Sequence, residues 1–305
     1  MAQTHVAVVG ATGLFGRQVV EALADAKFST TRLTLLASER SAGDEVDYGD
    51  DTMPVELATP EALRNMGVVV LATPPEASAP YLAAAKAQGA RTIVPGEAGA
   101  QVVWPGGALP AGPLGLPSPI ALAAALVLER LQAREAEVVA LVPASSAGRA
   151  GVELLERQTA SLLNAKEPAV SVFPHRLAFN LIPEVAGEAR AQAELLAKLP
   201  GCASRVTAVQ TPHFHGLMLV VTARLASPAS PVEVRARFQG AAGLKLVDDV
   251  PQHVYPMPML AVSDGAVLVG RLEVEGPRVR LVAAVDPLVQ LGQAAARLAV
   301  SLAGA

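Results

Sequence analysis

The sequence predicts two α/β units: a doubly wound domain with a mostly parallel sheet, followed by an α+β domain with a mixed sheet. Three observations carry this. A buried strand runs straight into a glycine turn and a helix start at residues 6–16. Short apolar runs then alternate with helical patterns as far as residue 94, and strand-like segments cluster after residue 200. A chain of 305 residues, 51% hydrophobic and 17% charged, has enough apolar surface for two cores without metals or disulfides. Aromatic residues make up only 3%, so those cores are built from Ala, Val and Leu.

The elements follow in order. Val6-Ala7-Val8-Val9 is the first strand, and Gly10-Ala11-Thr12-Gly13-Leu14-Phe15-Gly16 is the turn and helix start. Apolar residues at helical spacing extend that helix over 14–24. Residues 31–37 and 68–73 read as fully buried parallel strands, with a helix over 78–88, Gly89 as its stop and a strand at 92–94. Pro and Gly crowd residues 95–119, which excludes a helix or a long strand and places the domain boundary near the end of that stretch. Beyond it come a helix over 120–132, a strand at 138–142 and a helix over 151–164. Strands at 206–210 and 217–226 follow, then a helix between Pro231 and Gln239. Residues 286–303 form a helix with one apolar face, suited to packing back onto the first domain. The expected domains are residues 1–117 plus about 286–305, and 118–285.

Composition narrows the function. A net charge of -4 with no run of Lys or Arg removes the electrostatic basis for binding nucleic acid. No apolar stretch reaches membrane length and residues 1–5 lead directly into a strand, so a cytoplasmic protein without membrane association is expected. The single cysteine, Cys202, cannot form an internal disulfide, which agrees with a reducing compartment.

The glycine turn carries the first chemistry. Gly10 allows the tight turn, Gly13 lets the backbone approach a pyrophosphate, Gly16 permits close helix packing, and the helix N-terminus adds partial positive charge. Gly10, Ala11, Thr12, Gly13, Leu14 and Gly16 are therefore cofactor-binding candidates in a Rossmann-like domain. After the second strand, Ala37-Ser38-Glu39-Arg40-Ser41-Ala42-Gly43 lies where the adenosine ribose belongs. An acidic residue there suits the 2′-hydroxyl of NAD, whereas arginine and hydroxyls suit the 2′-phosphate of NADP. Arg40, Ser38 and Ser41 point to NADP, against Glu39.

Gly10-Ala11-Thr12-Gly13 followed by residues 36–43 resembles the aspartate-semialdehyde dehydrogenase family, and the resemblance runs nearly to the C-terminus. It continues through the Gly-rich turn and helix at 145–155, Asn180-Leu181-Ile182-Pro183, Tyr255-Pro256-Met257-Pro258 and Val269-Gly270-Arg271. It implies a second domain of the aspartate-semialdehyde dehydrogenase and glyceraldehyde-3-phosphate dehydrogenase C-terminal type. It further implies a homodimer through that domain's sheet, NADP as cofactor, a place in lysine, threonine and methionine synthesis, and a phosphorylating aldehyde dehydrogenase reaction. That reaction needs a cysteine thiolate, a histidine that moves the proton, and cationic clamps for substrate carboxylate and phosphate.

The resembling positions lack these groups. The cysteine position falls on Pro117; a shift of one residue offers Ser118, which either serves as a weak nucleophile or caps the helix that follows, with proline at its first position. The histidine position is Leu217 and the carboxylate-binding arginine is Gln210. The phosphate-binding arginine falls on Ala100, within Pro95-Gly96-Glu97-Ala98-Gly99-Ala100. The catalytic-loop glutamine falls on Val142 or Pro143, and the Asn-Leu-x-Lys segment beside the nicotinamide becomes Pro287-Leu288-Val289-Gln290, a change that weighs against full cofactor affinity. His213 and His215 share a strand face if the register shifts and could replace the base; a His-x-His pair can also bind metal, but no third ligand stands at suitable spacing, and no metal is expected. Glu188 and Arg190 match a family Glu and Lys pair that holds substrate, or else lie on an exposed helix face.

Three readings stay open. The first is a pseudoenzyme that keeps the fold, the dimer and NADP, and acts as a sensor or binding partner with a small-molecule ligand. The second is an active NADP-dependent oxidoreductase that reduces aspartate semialdehyde or another small carbonyl compound without cysteine, with Tyr255, His213 or His215 as proton donor. The third is an interaction subunit that pairs with a true family enzyme.

Overall fold

A computed structural model describes residues 4–96, 99–183 and 185–304. In chain order the first elements are β1 (His5–Val9), α1 (Leu14–Asp25), β2 (Leu33–Ala37), β3 (Glu45–Tyr48), β4 (Asp51–Leu57), β5 (Met66–Leu71), α2 (Pro75–Ala87), β6 (Arg91–Val94), β7 (Gln101–Val102) and β8 (Leu114–Gly115). They are followed by α3 (Pro119–Leu131), β9 (Ala133–Val142), α4 (Gly148–Leu163), α5 (Glu188–Lys198), β10 (Ala203–Gln210) and β11 (Leu217–Leu225). The last are α6 (Pro231–Phe238), β12 (Leu244–Leu246), α7 (Pro258–Ala261), β13 (Val267–Glu275), β14 (Arg278–Val285) and α8 (Pro287–Ala303). The chain forms two compact units, Met1–Pro117 with Leu288–Ala305, and Ser118–Pro287.

The first unit is a sheet in the order β3-β4-β2-β1-β5-β6-β8-β7. Every adjacent pair is parallel except the β3–β4 hairpin. The strands of its centre are apolar throughout because both faces are covered. Ala7, Val9, Leu36, Val69 and Leu71 pack with Ala85 of α2, while Val6 and Val8, which alternate with them, are equally buried on the other face. Close helix packing completes the unit: a Cβ at Gly292 of α8 would stand 2.7 Å from Gln18 of α1. Arg32 joins the chain ends, donating to Thr4 O and Ala303 O at 3.1 and 2.9 Å.

In the first unit two element starts and one hairpin differ clearly from the sequence expectation, and in the second unit β9 starts five residues earlier than expected. The second strand starts at Leu33 because residues 30–32 form a 3₁₀ turn. The second helix starts at Pro75, where proline at the first helical position needs no N–H partner and Ser78 Oγ returns to Thr73 O and Pro74 O. The β3–β4 hairpin was not anticipated; Gly49, at φ 64°, makes its turn, and Val46, Tyr48, Met53 and Val55 supply its buried side.

The second unit is a mixed sheet in the order β10-β9-β11-β14-β13-β12. Helices α3, α5 and α6 cover one face. That face carries Ala136, Val138, Ala140, Leu219, Val221, Ala223, Val279, Leu281 and Ala283, all buried. Residues of opposite parity, including Glu137, Val139, Thr222 and Arg280, point to the other face and are exposed. Among the described residues, that second face is covered over β13 and β14, where Ala261 of α7 packs on Leu268 and Ala284 beside Val247, and where Pro256 lies against Gly270.

Candidate functional site

In the first unit the glycine loop stands at the C-terminal end of the sheet. Gly10, at φ 86°, turns the chain out of β1, and its N–H and that of Ala11 donate to Leu36 O at 2.7 and 3.1 Å. A Cβ at Gly10 would fall 2.7 Å from Ala72 O, and one at Gly16 would fall 2.0 Å from Gly10 O. Both positions therefore exclude a side chain. Gly13 N donates to Gly10 O, and Gly13 N-caps α1. No side chain caps that helix and no acidic residue lies in its first turn, so its N–H groups and dipole face outward. Thr12 and Leu14 flank the same turn. This is a cradle for an anion, and the residues present fit a dinucleotide pyrophosphate.

The turn after β2 leaves the same end of the sheet. Ser41 N and Ala42 N both donate to Ser38 O at 2.9 Å, which folds Ser38, Arg40 and Ser41 into one tight loop. Arg40 is exposed and makes no ion pair among the described residues. The sequence reading missed Arg17, whose Nε donates to Thr12 O at 3.2 Å and sets a cation beside the glycine loop. Its position directly after Gly16 was the available signal.

Ala100 packs in the first unit's core, 3.3 Å from where a Gly115 Cβ would stand. Its neighbours Glu97 and Ala98 lie outside the described residues. Pro117 is buried and follows Leu116, whose N–H donates to Val94 O.

In the second unit Ser118 is the N-cap of α3. Its Oγ accepts from Ala121 N at 3.2 Å, Pro119 holds the first helical position, and Ser118 N donates to Glu194 Oε2 at 2.6 Å. Among the described residues no side-chain base is hydrogen-bonded to that hydroxyl.

Gln210 ends β10 at 3% exposure, and its whole amide is engaged. Nε2 donates to Val142 O and Pro143 O at 2.9 and 2.8 Å, while Oε1 accepts from Ser146 Oγ at 3.3 Å. The side chain is a brace for the turn after β9, not a clamp open to a carboxylate. Leu217 is buried at the start of β11 and pairs with Val285.

His213 is half-buried and both ring nitrogens are used: Nδ1 meets Thr211 Oγ1 at 2.7 Å and Nε2 meets Gly216 O at 2.6 Å. A carbonyl only accepts, so Nε2 carries the proton. Burial lowers the imidazole pKa from its ordinary 6.5, the Gly216 bond opposes this, and neighbouring His215 lowers it further. Nδ1 lies against the Thr211 hydroxyl, which also reaches Val142 O at 2.9 Å, so both ring nitrogens are engaged within the fold. His215 is exposed. Tyr255 lines a cavity of about 220 Å³ with Met218, Met257, Arg280 and Val282 on the open side of the sheet.

The exposed-face reading of Glu188 and Arg190 is corrected by their partners. Both are half-buried at the start of α5, where the helix packs on β10 and α3. Glu188 Oε2 accepts from Ala208 N at 2.5 Å, and Arg190 Nε donates to Glu194 Oε1 at 2.6 Å. Glu194 thus links Arg190 to the cap of α3. Cys202 is buried and its thiol pKa is raised by that burial, with Arg134 opposing and Glu135 adding, so it is held as an inert thiol. No group of three or more His, Cys, Asp or Glu side chains could hold a metal, and no helix is long and apolar enough to cross a membrane, among the described residues.

Comparison with known proteins agrees with this two-unit layout. Residues 5–95 match the family model of the semialdehyde dehydrogenase NAD binding domain, and residues 124–290 match that of the semialdehyde dehydrogenase dimerisation domain. A USG-1 protein homolog of Pseudomonas aeruginosa is 31% identical over 271 residues, spanning 80% of this chain and 81% of that protein. Aspartate-semialdehyde dehydrogenase of Bacillus subtilis is 29% identical over 304 residues, spanning 88% and 87%. The solved structure of a probable aspartate-semialdehyde dehydrogenase from Pseudomonas aeruginosa, 28% identical, superposes with a TM-score of 0.82 over 99% of this chain and 98% of that one. The chain belongs to the semialdehyde dehydrogenase family.

Proposed function

We propose that this protein is a non-catalytic member of its family: it binds NADP in the first unit, forms a homodimer through the second unit's sheet, and acts in the cytoplasm as a sensor or binding partner. One observation carries the loss of catalysis. Each side chain at a catalytic position of the resembling enzymes is either without reactive atoms, as Pro117 and Leu217 are, or committed to the fold, as Ser118 and Gln210 are. The candidate substitutes fare alike, since His213 has both nitrogens bonded and Glu188 and Arg190 serve the packing of α5. A covalent route without a bond-forming atom cannot be rescued by electrostatics alone.

NADP binding is supported by Gly10, Ala11, Thr12, Gly13, Leu14 and Gly16, which fit the pyrophosphate, and by Ser38, Arg40 and Ser41, which fit a 2′-phosphate. When bound, the nicotinamide can carry hydride; the chain's own residues bind and orient it. The open sheet face supports the homodimer. The test is a turnover assay with NADP, aspartate semialdehyde and phosphate, read as NADPH absorbance. No turnover above buffer is expected, and steady turnover refutes the loss of catalysis.

A further inference from the structure

The open face of the second sheet bears a charge pattern that specifies how a second copy docks. Strand register arranges its outward side chains in rows that cross the sheet. One row reads Arg205, Glu137, Thr222, Arg280, Glu273 from β10 through β9, β11 and β14 to β13. The next reads Ala203, Glu135, Arg224, Arg278, Glu275 in the same strand order. On the other side of the first row lie Thr207, Val139, Val220, Val282 and Gly270. Beyond these come Val209, Leu141, Met218, Ala284 and Leu268. Two rows are charged and two are mainly apolar. Among the described residues, Glu135, Glu137, Arg205, Arg224 and Arg278 make no ion pair within the chain. Arg224 and Arg278 are direct cross-strand neighbours of like charge, an arrangement that is unfavourable on a free face.

We propose that two copies pack face to face about a two-fold axis running along β11; this rests on the homodimer reading above. Such an axis keeps each row on itself and exchanges β10 with β13 and β9 with β14. Arg205 then meets the partner's Glu273, Glu137 meets the partner's Arg280, and Glu135 meets the partner's Arg278. Thr222 meets its own copy. Arg224 also meets its own copy, flanked by Glu135 on the neighbouring strand. An axis across the strands would instead place Arg205 on Arg205, Glu137 on Glu137 and Arg280 on Arg280. The sequence of charges therefore selects one axis and rejects the other.

Shape agrees with charge. On one half of the face α7 forms a ridge over β14 and β13, with Met259 and Leu260 exposed at 79% and 48%. On the other half Val139, Leu141 and Val209 form a strip with no helix over it. Leu181 extends that strip: Ile182 bridges Gln210 and is buried on the inner side, so Leu181, 60% exposed, points outward beside the end of β10. The axis along β11 sets the ridge of each copy over the strip of the other.

Glu137 and Arg280 sit on the strands next to the axis, one strand spacing of about 5 Å to either side of it, where the twist between packed sheets displaces them least. The experiment is sedimentation velocity on the full chain and on Glu137→Arg and Arg280→Glu variants, each separately and mixed. The wild type should be a dimer. Each variant alone puts like charges at two symmetry-related contacts and should weaken dimerisation by at least about 100-fold. Mixed in equal amounts, the two variants should re-associate, because one carries Arg and the other Glu at both contacts; a folding defect could not produce that rescue. A wild-type dimer whose variants remain dimeric, or whose mixture fails to re-associate, overturns the axis and leaves the homodimer standing. A monomeric wild type overturns both.

Discussion

Replacing Gln210 with alanine is the most informative single perturbation of the second unit. Its amide donates to Val142 O and Pro143 O and accepts from Ser146 Oγ, all at 3% exposure. Val142 O keeps Thr211 N as a partner and Pro143 O keeps Ser146 N, so neither carbonyl is orphaned. The loss is thus that of two good hydrogen bonds, one long one and the packing of the side chain, about 2–3 kcal/mol in all. Gln210→Glu should cost more, since its carboxylate would face those two carbonyl oxygens with no proton to give, and acidification should recover part of the loss. The assay is denaturant unfolding at fixed protein concentration, with hydrogen exchange over residues 142–146 to locate the effect, because two units need not unfold together. A change below about 0.5 kcal/mol for alanine, or glutamate milder than alanine, refutes the bracing role.

Other outcomes follow from the same geometry. Ser118→Ala removes the cap of α3 and should cost about 1 kcal/mol in thermal unfolding, without changing NADP affinity. Gly16→Ala forces a Cβ to within 2.0 Å of Gly10 O; equilibrium dialysis should show NADP affinity lower by at least about 10-fold, with a stability loss of about 1–3 kcal/mol. The lowered pKa of His213 means that the unfolded chain binds the extra proton first. Its contribution to stability is therefore full above the ordinary value of 6.5 and is lost as pH falls through and below it. His213→Gln should flatten that limb of the stability–pH profile, and an unchanged profile would refute the assignment. The combined Pro117→Cys, Leu217→His and Gln210→Arg variant should show little dehydrogenase activity and reduced stability, because Ala100 and Pro287 remain and the Gln210 brace is gone; robust turnover would show that fewer groups are missing than proposed.

The sequence made legible what short-range stereochemistry dictates. Gly10 and Gly16 announce the loop because no Cβ fits there, and Ser118 before Pro119 announces a helix start that hydrogen bonding bears out. The apolar runs at β1, β2 and β5 identify a sheet covered on both faces. Long-range destinations were not legible. Glu188 reaches Ala208 and Glu194 reaches Ser118, 20 and 76 residues away, so neither Glu188, read as a substrate contact or an exposed helix face, nor Glu194, which the sequence did not single out, showed its partner beforehand. The β3–β4 hairpin escaped notice because its buried residues are separated by Asp47 in β3 and by Pro54 in β4, and β3 has only four residues. The charge rows of the second sheet exist only once register has set Glu137 and Arg280 on either side of Thr222, 85 and 58 residues from it in sequence. At the positions that the resemblance assigns to catalysis, the sequence supplies the side-chain identities, and the structure adds how Ser118 and Gln210 are hydrogen-bonded.

The central claim, a cofactor-binding fold without the family chemistry, is tested most directly by calorimetric titration of NADP into the purified protein, followed in the same cell by aspartate semialdehyde and phosphate. Saturable heat on adding NADP, at affinity in the micromolar range, with no further heat of reaction on adding the substrates, is the predicted result. Sustained reaction heat accompanied by NADPH formation contradicts the loss of catalysis, and the absence of any NADP binding contradicts the cofactor-holding role assigned to the glycine loop.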